Sequence, residues 1–117
     1  VYALKLALPY TAGVPDAWYS GCGGDLWVEY KYLSRIPREV DLIGGKDPTI
    51  TLLQQHWLQQ RYEEGRQIGV IVGCRGGGVV LPDLDWKELY PRSEFTSRIW
   101  SKQEVANWIT ARVSIPK

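Results

Sequence analysis

Histidine occurs once in this 117-residue chain, at His56, cysteine twice, at Cys22 and Cys74, and methionine not at all. Each shortage removes a class of chemistry. One histidine cannot supply a paired-histidine metal centre, and a serine or cysteine nucleophile would find no base with an orienting partner. His56 lies in a stretch of helical pattern and reads as a helix-surface residue. Two cysteines are too few for a disulfide framework or a cysteine-built zinc site, so both read as small reduced packing residues in glycine turns. No stretch approaches the roughly 18 consecutive apolar residues of a membrane span. The apolar opening, residues 1–10, is interrupted by Lys5 and Pro9 and leads to no small-residue cleavage pattern, which argues against a secretory signal and for a cytoplasmic setting. The chain starts at Val1 without an initiator methionine, leaving room for residues upstream.

Charge of either sign is also not in excess. Fourteen Lys and Arg against thirteen Asp and Glu give a net +1, so an anionic partner such as a nucleic acid would have to be met by locally concentrated basic residues. What is present fits one folded domain spanning residues 1–117: 44% hydrophobic residues, 23% charged residues and twelve glycines.

Short apolar and aromatic runs at residues 2–8, 14–19 and 26–32 read as strands, with Gly21-Cys22-Gly23-Gly24-Asp25 turning the last two into a hairpin. A phosphate-cradling loop is the sharper alternative for these glycines, but no GKS or GKT follows them. Alternation along 26–32 sets Trp27, Glu29 and Lys31 on one face and Val28, Tyr30 and Tyr32 on the other. Residues 34–46 read as an irregular excursion, either a substrate-facing loop or simply solvated charge. Asp47-Pro48 predicts a helix start, with Asp47 as N-cap, running to Glu64 with Leu53, Trp57 and Leu58 at helical spacing and Gly65 as the stop. Ile68 to Val72 has the continuous apolar character of a strand buried on both faces. A turn at Arg75-Gly76-Gly77-Gly78 returns the chain through Val79-Val80-Leu81, and Ser101-Lys102-Gln103-Glu104 is a capping box opening a terminal helix over 102–111. Three strands, a helix, two strands and a helix predict an α/β fold, a central mixed β-sheet flanked by helices.

Thirteen positions separate Asp16 from Glu29, and Lys31 follows two later. If the first two segments pair, two carboxylates and an ammonium converge. Asp16 and Glu29 can each lend an oxygen to magnesium or manganese, the Tyr30 backbone carbonyl can add a third, and Lys31 can neutralise charge growing on a phosphate. Cross-strand ion pairing is the plainer account of the same three residues.

Gly13-Val14-Pro15-Asp16, then Trp27-Val28-Glu29-Tyr30-Lys31, then Gln54 ahead of Trp57-Leu58 and Gly65, resembles the stand-alone, often phage-encoded VRR-Nuc branch of the PD-(D/E)XK nuclease superfamily. The match covers residues 11–73 in order and spacing. It implies a restriction-endonuclease-like core and a magnesium-dependent endonuclease acting on DNA, with branched or junction DNA as substrate and a homodimer as the working unit. It also implies that Asp16 and Glu29 bind metal with the Tyr30 carbonyl, that Lys31 is catalytic, and that Gln54 reaches the site from the helix, with Gln55 as its substitute if the register shifts by one.

Two departures stand out. Residues 1–15 hold no Asp or Glu, so the further acidic residue that many members carry before the PD strand lies upstream, is replaced, or is not needed. After Lys31 the chain continues Tyr32-Leu33 rather than into a glycine-containing loop. Two other functions share the pattern: a site-specific mobile-element endonuclease, and a catalytically silent DNA-binding module whose tryptophans and tyrosines offer stacking surfaces.

Overall fold

The computed structural model describes residues 2–5 and 13–114. In chain order the elements are β1 (Tyr2–Lys5), β2 (Ala17–Gly21), β3 (Gly24–Leu33), β4 (Glu39–Val40), α1 (Leu52–Glu63), β5 (Gln67–Cys74), β6 (Gly77–Pro82), β7 (Tyr90–Pro91), α2 (Arg92–Ser97) and α3 (Lys102–Ser114), with one 3₁₀ turn at Asp85–Lys87. Positions 6–8 of the first expected strand lie outside the described residues. Five strands form one sheet in the order β1-β2-β3-β5-β6. Every neighbouring pair is antiparallel except β3 and β5. A parallel pair needs a crossover, and residues 34–66 with α1 supply it. This is the expected mixed sheet flanked by helices.

The two faces of the sheet bury separate cores. On one, Ile68, Val70 and Val72 of β5 and Val79 and Leu81 of β6 pack with Leu58 of α1, Val40, Leu42, Ile50, Trp86, Tyr90 and Phe95. On the other, Leu26, Val28, Ile71 and Val80 meet Ile109 and Val113 of α3. Ile68 to Val72 is thus buried on both faces, as its unbroken apolar run requires. Ser101 and Glu104 close the capping box of α3, each side chain accepting from the other's backbone N–H. The helix continues to Ser114, three residues past its expected end.

Three expectations are corrected. Helix α1 begins at Leu52 with Thr51 as N-cap, not at Asp47-Pro48. Ile50 is fully buried and its N–H donates to the Leu42 carbonyl at 2.9 Å, which holds the preceding residues out of the helix. Thr51 and Gln54 form the capping box that starts it. Leu53 does not join the core; it is 59% exposed, since five residues of helix rotate it about 140° from Leu58. The excursion at 34–46 is not wholly solvated charge. Its β4 pairs with β7, and Val40 and Leu42 enter the core, while Arg35, Arg38 and Lys46 remain exposed.

Candidate active site

Asp16 owes its position to the two residue types before it. Gly13 sits at φ +89°, and a Cβ there would lie 2.7 Å from the Leu53 carbonyl oxygen, so glycine alone lets this turn close on the first turn of α1. Pro15 has no N–H to offer a ladder, and β2 begins only at Ala17, three residues later than the apolar run suggested. The last registered pair is Ala17 with Val28; continuing it would set Pro15 opposite Tyr30. Asp16 takes over that place. Its Oδ2 accepts the Tyr30 N–H at 2.9 Å. A strand residue presents its N–H and C=O to the same side, so the Tyr30 carbonyl faces the same edge of β3 as the Asp16 carboxylate.

Glu29 and Lys31 share the α1 face of β3, as alternation predicts. The Lys31 Nζ lies 3.4 Å from Glu29 Oε2. The same oxygen accepts from Gln54 Nε2 at 3.0 Å. Gln54 cannot turn its amide the other way, because its Oε1 already accepts the Thr51 N–H at 2.9 Å. The capping box therefore aims the amide NH₂ at Glu29, a link between helix start and site that Thr51-Leu52-Leu53-Gln54 encodes and that the Asp47-Pro48 start obscured. Gln55 turns away and donates to the Ile50 carbonyl. Trp27, packed on Trp57 with ring centroids 5.1 Å apart, walls this face of β3 on the side away from Lys31.

Glu29 is 1% exposed. Burial, with the Asp16 carboxylate adding to it and Lys31 opposing, pushes its carboxyl up to about 7. Its second oxygen, Oε1, is buried with no donor among the described residues, and the protonated carboxyl can share its proton with Asp16. A buried carboxylate oxygen without a donor beside a second carboxylate is a set of ligands that a cation would complete. Magnesium suits it: one or two carboxylates suffice because the ion keeps several waters. No group of three or more His, Cys, Asp or Glu side chains is placed to hold a metal among the described residues, so the fit is to a site of two carboxylates and a carbonyl. On the opposite face of β3 the Tyr19 and Tyr30 hydroxyls bond to each other. Burial and that bond keep the Tyr30 phenol protonated well above its ordinary value.

The sheet order β1-β2-β3-β5-β6, with β3 and β5 parallel across helix α1, is a restriction-endonuclease-like fold. The chain is similar in structure to Hjc of Archaeoglobus fulgidus, a Holliday junction resolvase from an archaeal hyperthermophile solved at 1.6 Å. The TM-score is 0.55 and the identity 17%, over 90% of this chain and 88% of that one. At that identity the likeness is one of fold. No family model matches the sequence, and no curated protein matches it.

Proposed function

We propose that this chain is a magnesium-dependent endonuclease that hydrolyses DNA phosphodiester bonds and selects its substrate by shape, as branched or junction DNA. The observation that carries the reading is the pairing of Asp16 with a buried Glu29 whose Oε1 meets no donor among the described residues, beside Lys31. The resolvase fold of the Hjc structure supports the choice of substrate class. Asp16, Glu29 and the Tyr30 carbonyl would hold the cation, which when bound supplies a Lewis acid for phosphoryl oxygen and a water of lowered pKa. Gln54 and Lys31 occupy one oxygen of Glu29 and so present the other. The Tyr30 N–H fixes the angle of Asp16. Lys31, 19% exposed at its side chain, is free to move its ammonium from Glu29 towards charge that grows on the phosphate. Two such sites in a homodimer would cut two strands of a junction, and sedimentation equilibrium reads that directly.

Cleavage of a four-way junction with magnesium should fall by about 10²- to 10³-fold in Lys31→Ala, the usual loss when a group that stabilises transition-state charge is removed. Unchanged cleavage in that variant sinks the assignment. Equal rates on the junction and on a linear duplex of the same length would leave the nuclease and remove the selection by shape.

A further inference from the structure

On the face of β3 opposite Glu29, helix α3 covers Val28 and leaves the tyrosines beyond it open. Tyr30 is 37% exposed and Tyr32 66%. Two adjoining clefts, of about 320 and 370 Å³, run along this face between the strands and the first turns of α3. Gly73 of β5 and Gly77 and Gly78 of β6 line the first of them. Tyr32 pairs with Gly73 in register, and its ring packs where a side chain would stand: a Cβ on Gly73 would lie 3.2 Å from Tyr32 Cδ1. The ring is thus backed by the sheet and open to solvent. Lys102 lines the same groove, which Lys31 meets only from the strand, its ammonium lying on the opposite face with Glu29, and among the described residues no acidic side chain lines it. The clefts at the other end of the sheet differ, carrying Asp25 in one and Glu63 and Asp83 in the other.

We propose that this groove binds unpaired nucleotides of the substrate, a base stacking on Tyr32 and a phosphate meeting Lys102 at the head of α3. An aromatic ring backed on one side, beside a cation with no acid at hand, is the chemistry that holds single-stranded nucleic acid. Continuity with the candidate active site supports the same occupant: the Tyr30 ring lines the groove, while the Tyr30 N–H holds Asp16 at the edge of the same strand. The proposal rests on the nuclease reading and sharpens its substrate, to DNA with a single-stranded segment beside the scissile bond.

The test is fluorescence anisotropy of the full chain without metal, using a short labelled oligothymidylate and a blunt duplex of equal length. Tyr32→Ala should weaken oligothymidylate about tenfold, within the range of one base–aromatic stack, and Tyr32→Trp should keep the affinity. Lys102→Gln should lower the affinity and reduce its salt slope by about 1. Tyr32 is largely exposed, so these variants should melt like the parent. Equal loss on both probes, or no loss in Tyr32→Ala, overturns the groove. So does a dimer that Tyr32→Ala converts to monomer in sedimentation, for then a second copy of the chain fills the groove. Because binding is read without metal, the two readings fail separately. Absent cleavage with intact selective binding removes the nuclease alone, and cleavage with unaltered Tyr32→Ala binding removes the groove alone.

Discussion

Glu29 is held through one oxygen by an amide and an ammonium while its other oxygen is buried without a donor among the described residues and its carboxyl faces that of Asp16, so its ionisation works against the fold when no cation is present. With a folded value of about 7 against 4.5 for the free group, the folded chain holds a proton that the unfolded chain has released between those two values. Stability is then fully present below pH 4.5 and falls as pH rises to about 7, by on the order of 3 kcal/mol. Asp16 and Lys31 are the charged groups facing Glu29, and Gln54 is neutral. Urea melts of metal-free protein should show this loss between pH 4.5 and about 7, and Glu29→Gln should flatten it. The same slope in parent and variant would put the titrating group elsewhere. Magnesium at neutral pH should restore the lost stability, because it binds the ionised pair only in the folded chain.

At the scale of elements, α1 is coupled to chemistry through its first turn. Thr51→Ala removes the acceptor for the Gln54 N–H, at a cost of about 1 kcal/mol in thermal or urea melts. The variant also loosens the turn that aims the Gln54 amide at Glu29. Cleavage should fall more than this loss of stability explains, whereas Thr51→Ser should retain both. The sequence made β3, β5 and both hairpins legible because alternation, continuous burial and glycine turns are local signals. Glu29 and Lys31 came out on one face for the same reason. The start of α1 was misread because Asp47-Pro48 is a good local signal that a non-local bond, from Ile50 N–H to the Leu42 carbonyl, overrides. Residues 83–100 gave no pattern to read: they fold as one 3₁₀ turn, a two-residue strand and a six-residue helix. Trp86, Tyr90 and Phe95 bury themselves there against the face of the sheet that α1 also covers, a non-local packing.

Across the whole molecule, the site exists because three distant segments meet where β2 ends beside β3, the central strand of the sheet. The turn at Gly13, strand β3 and the head of α1 each bring one part. Gly13→Ala forces a Cβ to within 2.7 Å of the Leu53 carbonyl oxygen at a positive φ, which should cost about 1–3 kcal/mol in a urea melt and shift Asp16 away from Glu29. Its cleavage rate should drop even at temperatures where it remains folded. The acidic residue expected upstream of Asp16 has no counterpart among the described residues, so the account rests on two carboxylates and one carbonyl. Single-turnover cleavage of a labelled four-way junction at millimolar magnesium tests that most directly. The parent chain should release product, and Asp16→Asn, which keeps an oxygen for the Tyr30 N–H but loses the charge, should release it at least about 10²-fold more slowly. A parent that leaves the junction intact, or an Asp16→Asn variant that cuts at the parent's rate, would contradict the account.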